Sequence, residues 1–389
     1  MALTQATVPY QPGYNYGVGA DLASGSPMGK VVGGSVSGVE NALGDTAGFQ
    51  ITRIHSTSDL QETLGIGVEI GVGVGFFGVS ARFNFAKQSK IHSHSLFMAI
   101  TAFVNLEFQS IDDPTLTEGA KEIINRPDVF STRYGNMFVR GVGRGGLFVA
   151  VMNIDTSSAE ESKSISAELE GSYGLFSAEG KTKFDSLQAK YHSETQIKVY
   201  HEGGPADLAM GDLNDPAELY EILKTWLKSF KENPEQNSVP YYVTLAPIAI
   251  ANGPIPPNVA DIQHAQDILV ICATERSATL DQLNLMDYIS RNSSRYDFLA
   301  PITPADIAKV SASYQADLDL IAATASQAIN DVTKAVTPAE FATKTGKVYP
   351  QGMQPEPMPT LKQGLPQPPI AIDIDKLRAK PIKVEGLNL

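Results

Sequence analysis

The stretch Leu64–Phe83 reads LGIGVEIGVGVGFFGVSARF and has glycine at almost every second position, with large apolar residues between. Successive side chains of a β-strand point to opposite faces, so this stretch predicts a strand with one apolar face and one face almost without side chains. The apolar face would consist of Ile66, Val68, Ile70, Val72, Val74 and Phe76. The alternation resumes after Gly78 and continues through Phe85, and residues 96–108 predict a returning strand.

A second block with the same alternation occupies residues 154–200, and residues 179–183 (EGKTK) would turn the chain between its two strands. The apolar positions of this block include Ile165, Leu169, Tyr173, Leu187, Tyr191 and Ile197. The polar positions on the opposite face include Ser164, Ser166, Glu168, Glu170, Gln188, Lys190, Glu194 and Lys198.

Both blocks are long enough to cross a membrane as hairpins. A transmembrane β-strand needs ~9–11 residues, with lipid-facing and lumen-facing side chains in alternation. An open hairpin leaves its edge N–H and C=O groups unsatisfied in hydrocarbon, so the blocks could insert only if many copies closed one barrel. The alternation by itself favours a simpler interpretation, in which both blocks are ordinary hairpins with one face on a core.

A glycine-containing motif lies between the two blocks, where YGNMF at residues 134–138 is followed by six residues and then by two glycines. This resembles the signature of the MACPF/CDC superfamily, the perforin-like and cholesterol-dependent-cytolysin-like pore formers. Their pattern is an aromatic residue, Gly, Thr or Ser, His, an aromatic residue, six residues and Gly-Gly. The residues that match are Tyr134, Gly135, Phe138, Gly145 and Gly146. Asn136 and Met137 replace the hydroxyl residue and the histidine of the family.

The resemblance extends to both sides of the motif and covers about residues 12–250. The early element Gly17-x-Gly19-Ala20-Asp21 is similar to a G-x-G-Y-D element of the family, and Gly203-Gly204 closes the second block as in the family. Downstream, Trp226, Asn233-Pro234 and the residues LAPI at 245–248 resemble the family's W…NP…L-P-I segment.

The resemblance implies an α+β fold, with a bent antiparallel central sheet flanked by helical clusters that unfurl into transmembrane hairpins. It therefore reverses the preference for ordinary hairpins. Because glycine permits backbone conformations and close approaches that other residues resist, we expect Gly141, Gly143, Gly203 and Gly204 to be hinge positions of the sheet. The alternative is that these glycines serve a bulge or tight packing without motion.

The function implied is that of a pore-forming protein or toxin, cytolytic or insecticidal, whose soluble monomers form a ring on a target membrane. Each subunit would insert two hairpins into one β-barrel, with the apolar positions toward lipid and the polar positions toward the lumen. The expected partners are copies of the chain, a lipid bilayer and a second protein that recognises the target. The chain shows no secretory signal, and we expect a released or secreted monomer. The alternative is a non-lytic binding or structural protein on the same fold.

The chain divides by composition into three parts: the pore-forming domain 1–252, a helical region 253–345 and a Pro-rich extended tail 346–389. In the first part, Asp215-Pro216 starts a predicted helix that ends at Asn233-Pro234, and residues 239–250 predict a strand. In the second part, helical periodicity covers residues 260–290 and 303–335.

Several other chemistries are not supported by the sequence. The net charge of −13 disfavours binding to nucleic acid. Gly73-x-Gly75-x-x-Gly78 and Gly141-x-Gly143-x-x-Gly146 spell GxGxxG, but a dinucleotide site also needs a helix directly afterwards, and we expect none. His92-x-His94 lacks a third metal ligand nearby and predicts a polar turn, whereas Cys272, the only cysteine, predicts a core residue. We therefore expect no enzyme activity, no cofactor and no metal.

Overall fold

The structure is a computed structural model that describes residues 5–39, 46–66, 81–155, 195–208, 216–255 and 258–362, together with Ile165 and Leu213. Its strands are β1 (Ala6–Pro9), β2 (Val18–Ala20), β3 (Pro27–Lys30), β4 (Val32–Gly33), β5 (Val36–Val39), β6 (Thr46–Ile54), β7 (Leu96–Ile111), β8 (Thr115–Leu116), β9 (Met137–Ile154), β10 (Thr195–Glu202), β11 (Val239–Pro247), β12 (Tyr296–Asp297) and β13 (Thr360–Leu361). Its helices are α1 (Thr57–Thr63), α2 (Ala81–Gln88), α3 (Glu118–Lys121), α4 (Pro127–Tyr134), α5 (Pro216–Glu232), α6 (Pro234–Asn237), α7 (Val259–Arg291), α8 (Pro304–Asn330) and α9 (Pro338–Thr345).

Within these residues, nine strands form one antiparallel sheet with β9 at its centre. On one side β9 pairs with β7, which in turn pairs with β6 and β5. On the other side, the first half of β9 pairs with β11 and the second half with β10. The motif identified in the sequence therefore leads into the strand on which the whole sheet is built.

Two apolar layers cover the two faces of this sheet. On one face, which we call the α5 face, Phe148 and Met152 of β9 and Ile197 of β10 pack with Trp226 and Phe230 of α5. On the opposite face, the α1–α2 face, alternate sheet residues pack with apolar side chains of α1 and α2. These residues include Leu60, Leu64, Phe83, Phe85, Phe97, Leu147 and Val149. The period-2 alternation of β7 and β9 places one set of side chains in each layer.

The pairing of β9 is irregular near its glycines. The register with β7 shifts between Asn105 and Phe108, opposite Gly143–Gly145. The register with β11 shifts between Pro240 and Tyr242, and again between Thr244 and Leu245. A β-bulge bends its strand and increases the local twist. The sheet is thus irregular on both sides of the same glycine-rich segment.

The C-terminal helices α7 and α8 pack against each other through small side chains. Ala265 and Cys272 of α7 are buried against Ile321, Ala325 and Ala328 of α8. Thr303 and Asp306 form a capping box at the start of α8, with Pro304 at the first helical position. The segment 347–359 has no regular secondary structure, and Asp317 of α8 accepts hydrogen bonds from its Gln351 and Gly352 N–H groups.

The predicted fold class, α+β with an antiparallel sheet and flanking helices, is confirmed. The helices predicted at 215–233, 260–290 and 303–335 are present as α5, α7 and α8, although α8 ends at Asn330. Two local predictions are wrong. The strand predicted through Phe85 is helix α2 from Ala81 onward, and the strand predicted over 239–250 ends at Pro247 and gives way to a 3-10 turn.

Candidate hinge and insertion region

The motif begins where helix α4 ends. Tyr134 is the last helical residue and is buried against Phe130, with ring centroids 5.2 Å apart. Gly135 follows with φ +73°, a conformation that residues with a Cβ atom rarely adopt. The glycine therefore lets the chain turn from the end of α4 into strand β9.

The early glycine element meets the motif at this turn. Gly19 pairs with Phe138, and Ala20 forms a bridge with Gly135. A Cβ atom on Gly19 would lie 2.0 Å from the Tyr134 carbonyl oxygen, and one on Gly135 would lie 2.3 Å from that of Ala20. Both glycines are required by this close backbone contact, so two motifs separated by more than 100 residues form one structural unit.

The two residues that depart from the family signature are both buried here. Asn136 accepts a hydrogen bond from the Leu22 N–H at its Oδ1 atom, at 2.9 Å, and its own N–H donates to Ala20. Met137 is fully buried in the apolar cluster beneath β1 and β2. The Asn136 amide and the Met137 thioether thus both contribute to the contact between β2 and β9.

Three glycines of the two pairs, Gly146, Gly203 and Gly204, lie against helix α5. A Cβ atom on Gly146 would come within 2.4 Å of the Phe230 ring and 2.7 Å of the Trp226 ring. A Cβ atom on Gly204 would lie 2.3 Å from Trp226, whose Nε1 atom donates a hydrogen bond to the Gly203 carbonyl oxygen at 3.0 Å. Gly145 approaches β7 instead, where a Cβ atom would lie 1.9 Å from the Val104 carbonyl oxygen. Gly146, Gly203 and Gly204 form a recess that accepts the two aromatic side chains of α5.

The other two predicted hinge glycines lie under aromatic rings from the neighbouring strands. The Phe108 ring of β7 covers Gly141, and the Tyr242 ring of β11 covers Gly143, at 2.1 Å and 2.0 Å from the position of a Cβ atom. The two rings are stacked, with centroids 6.0 Å apart. Tight packing and bulges are therefore present at these glycines, and their role as hinges stays a prediction.

Helix α2 is fastened to the sheet by a buried arginine. The Arg82 guanidinium donates to Glu202 of β10 in a bidentate pair, with Nε–Oε1 at 2.7 Å and Nη2–Oε2 at 2.5 Å. It also donates to the carbonyl oxygens of Leu64 and Tyr241, at 2.9 and 2.7 Å. Burial lowers the pKa of Arg82, but the hydrogen bond and the charge of Glu202 raise it above its usual value.

Most of the residues predicted to enter the membrane lie outside the described residues. These are Val68, Ile70, Val72, Val74, Phe76, Leu169, Tyr173, Leu187 and Tyr191, and, on the lumen side, Ser164, Ser166, Glu168, Glu170, Gln188, Lys190 and Glu194. Of the others, Ile66 is buried with α1 and α2, whereas Ile165 and Ile197 are buried with α5. Lys198 is half-buried on β10, and its Nζ atom donates to the Gln88 carbonyl oxygen at 2.5 Å.

The two histidines singled out in the sequence have more buried surroundings than a polar turn implies. The predicted turn is present at residues 93–94, but its histidines pack against other side chains. His92 packs against Tyr288 at 4.3 Å between ring centroids, and the His94 Nδ1 atom lies 2.7 Å from the Tyr296 hydroxyl. Burial lowers the pKa of His92 to about 3 and that of His94 to about 4. The described residues contain no group of three or more His, Cys, Asp or Glu side chains that could hold a metal ion.

Cys272 is buried at the α7–α8 contact, as predicted, and burial raises the pKa of its thiol to about 12. Gly141–Gly146 lie inside strand β9, so no helix follows the second GxGxxG. The corresponding prediction for the first GxGxxG is wrong, because α2 begins at Ala81, three residues after Gly78. Among the described helices, none combines the length and the apolar character that a membrane span requires.

Sequence reasoning missed the polar contacts that join distant segments. Arg82 and Glu202 are 120 residues apart, and Thr57 and Asp281 are 224 residues apart. For the first pair, the only local signal was a charged residue, Arg82, close to two phenylalanines, Phe83 and Phe85. No periodicity relates the members of either pair, so only the folded chain reveals them.

The central motif strand, the antiparallel sheet and the helices on both faces define an α+β fold. No protein-family model and no curated protein matches the chain. Among solved structures, the chain is similar to stonustoxin, with 11% identity, a TM-score of 0.46, and coverage of 87% of this chain and 42% of that one.

Two further solved structures are similar to the chain. GNIP1Aa from Chromobacterium piscinae has 15% identity and a TM-score of 0.37, over 65% of this chain and 54% of that one. A putative cell invasion protein with a MAC/Perforin domain, from Bacteroides thetaiotaomicron, has 11% identity and a TM-score of 0.35, over 66% and 59%. The chain spans less than two thirds of the length of each of these three proteins.

Proposed function

We propose that this chain is a pore-forming protein, cytolytic or insecticidal, that acts as a ring of copies on a target membrane. Soluble monomers, released or secreted, bind the bilayer, with a second protein contributing to recognition of the target. Each subunit then converts two segments into β-hairpins that join one transmembrane barrel. The first segment, residues 55–95, connects β6 to β7, and the second segment, residues 155–194, connects β9 to β10.

The observation that carries this proposal is the alignment of four strand ends. Ile54 at the end of β6 pairs with Phe97, next to the start of β7. Leu96 pairs with Ile154 at the end of β9, and Ile154 pairs with Thr195 at the start of β10. Both segments therefore leave the sheet at the same end, where β6 and β9 finish and β7 and β10 begin. Extension of these four neighbouring strands would give two adjacent antiparallel hairpins without any rearrangement of the order β6-β7-β9-β10.

The length of each segment supports the same proposal. Each segment has about 40 residues, more than the two strands of ~9–11 residues that a membrane-spanning hairpin requires. In the proposed transition the bulged glycines of β9 act as hinges that let the sheet open. The half-buried aromatic rings that cover Gly141 and Gly143 would have to move with their own strands during this change.

The sheet register also bears on which side chains meet lipid. If the strands continue without a bulge, the even-numbered residues 66–76 lie on the α1–α2 face, since Ile54 packs there. In the same extension, Ile165, Leu169 and Tyr173 would lie on that same face, because Ile154 points to the opposite one. The apolar positions of these two outgoing strands then share one surface, as a lipid-facing surface requires.

The strand that returns into β10 has the opposite phase. Ile197 packs on the α5 face, so uninterrupted extension would place Leu187 and Tyr191 on that face and Gln188 and Lys190 on the lipid side. We infer a one-residue shift between Tyr191 and Thr195 in the inserted state. A shift of one residue reverses the side-chain orientation of the whole returning strand.

Dye release from target-cell membranes, together with electron microscopy of the same membranes, tests the proposed function. We expect rings and leakage from the chain with its recognition partner. Rings without leakage would favour a non-lytic binding or structural protein on this fold. For the register, polarity-sensitive probes on single cysteines in assembled pores should report lipid at positions 169 and 187, and water at 168 and 188. Water at 187 would reject the shift while leaving pore formation intact.

A further inference from the structure

Helix α7 contacts the first segment along one of its faces. Its Asp281 Oδ1 atom accepts hydrogen bonds from the Thr57 N–H at 2.9 Å and from the Thr57 hydroxyl at 2.5 Å. The Ser277 hydroxyl donates to Gln61 Oε1 at 3.1 Å. The Asn284 Nδ2 atom donates to the Ile91 carbonyl oxygen at 3.0 Å. Residues 277, 281 and 284 are separated by four and three positions, which places them on one helix face.

These contacts reach every described part of the first segment. Thr57 and Gln61 belong to α1, and Ile91 belongs to the connection before β7. The Arg276 guanidinium lies over the Phe83 ring of α2, 4.3 Å from its centroid. At the end of α7, Tyr288 packs against His92. The helix therefore spans α1, α2 and the loop that follows them.

The contacts with α1 and the loop are largely closed to solvent. Thr57 is 1% exposed, Ser277 2%, and Gln61 and Asn284 5% each. A buried polar group that loses its partner incurs a desolvation cost, so these contacts strongly favour the arrangement in which α7 and the first segment are together.

We propose that this face of α7, defined by Arg276, Ser277, Asp281 and Asn284, is a clasp that holds α1 and α2 of the first segment in their helical form. Separation of α7 from α1 and α2 must then precede insertion of the first hairpin. The helical region after residue 253 thereby regulates the transition in addition to any part in recognition. This inference rests on the proposed pore-forming function, whereas the contacts themselves can be tested in the soluble chain.

Hydrogen exchange in the soluble full-length chain tests the clasp without a membrane. In Asp281→Ala, we expect the backbone amides of α1 to exchange ~10-fold faster or more, because two hydrogen bonds are lost. The amides of α5 should keep their rates. Asp267→Ala is the matched control, since Asp267 lies exposed on the same helix. If Asp281→Ala does not fold, Ser277→Ala gives the same test. Unchanged exchange of α1 in the folded variants would overturn the clasp.

A reversible cross-link tests its role in insertion. The side chains of Thr57 and Asp281 touch, so Thr57→Cys and Asp281→Cys, in a Cys272→Ala background, would join α1 to α7 as a disulfide. On erythrocytes, we expect the oxidised protein to bind normally but to release at least 10-fold less haemoglobin, with recovery on reduction. Equal release by the oxidised and reduced forms would overturn the clasp. No release by the unmodified chain from any target membrane would overturn the proposed function, and the exchange result would still decide the contact.

Discussion

The two faces of the central sheet are covered by helices that are held in different ways. On the α5 face, two aromatic side chains fit into a recess formed by Gly146, Gly203 and Gly204, and the fit is steric. On the α1–α2 face, apolar packing is supplemented by two sets of polar contacts. The ion pair of Arg82 and Glu202 joins α2 to the sheet, and the polar face of α7 binds α1. Polar groups that separate can form hydrogen bonds with water instead, whereas an aromatic side chain that leaves the glycine recess loses its packing contacts without replacement. In the proposed transition we therefore expect α5 to stay with the sheet and α1 and α2 to leave it.

The largest expected effect comes from removing an aromatic side chain of α5 from the glycine recess. Trp226 is fully buried between Gly146, Gly204 and Phe230, so Trp226→Ala would leave a large cavity. We expect a loss of ~3–5 kcal/mol in the free energy of unfolding, measured by chemical denaturation. The control is Tyr220→Ala on the same helix, at a position that is 36% exposed, with an expected change of about 0.5 kcal/mol. Similar losses in both variants would show that the recess contributes no specific stability.

The second prediction concerns the ion pair under α2. Arg82→Met removes the cation and leaves the Glu202 carboxylate, 20% exposed, without its bidentate partner. We expect a loss of ~2–4 kcal/mol, below the full cost of an unpaired buried charge because Glu202 retains contact with solvent and with the Tyr200 hydroxyl. Hydrogen exchange should accelerate in α2 more than in α5. Adding Glu202→Gln should restore part of the stability, and no recovery would mean that Arg82 acts through packing alone.

These two sites also show what the sequence could predict. The glycine recess was visible in part, because the signature spacing placed Gly145, Gly146, Gly203 and Gly204 as special positions before their contacts were known. Helix α2 was not visible, because Ala81, Phe83 and Phe85 fit a strand, while Arg82, Phe85 and Ala86 fit one face of a helix. Over so few residues the two periods cannot be distinguished. The clasp was hidden for a different reason, since it joins residues more than 200 positions apart.

The third prediction is a pH dependence of the α1–α2 face. His92 and His94 have folded pKa values of about 3 and 4 because they are buried, against an ordinary value of 6.5. The unfolded chain therefore binds more protons, and stability is lost as the pH falls from about 6.5 toward 4. Burial raises the pKa of Asp281 to about 6, and that group acts in the opposite direction over about pH 6 to 4. We expect the two histidines to dominate, with a net loss of ~3 kcal/mol between pH 7 and 4.5.

The measurement is chemical denaturation at several pH values, with exchange of α1 and α2 as the local readout. The two histidines are surrounded by Tyr288, Tyr296, Asp155 and Arg295. The variants must therefore leave these four side chains unchanged. His92→Gln with His94→Gln should flatten the stability profile in this range. Asp281→Asn should instead steepen it. A profile that is unchanged in the double histidine variant would assign the acid sensitivity to other groups.

The smallest expected effect concerns an exposed contact between α2 and the sheet, in contrast to the buried contact of Arg82. Lys198 of β10 donates to the Gln88 carbonyl oxygen at the end of α2, and this hydrogen bond is exposed to solvent. Because water can replace the ammonium at an exposed site, we expect Lys198→Gln to lower the free energy of unfolding by about 0.5 kcal/mol or less, without a change in the exchange of α2. Arg82 and Lys198 both join β10 or its neighbours to α2 by a cationic donor, and they differ chiefly in burial. If Lys198→Gln released α2 as strongly as Arg82→Met, burial would not be the property that controls how tightly this helix is held.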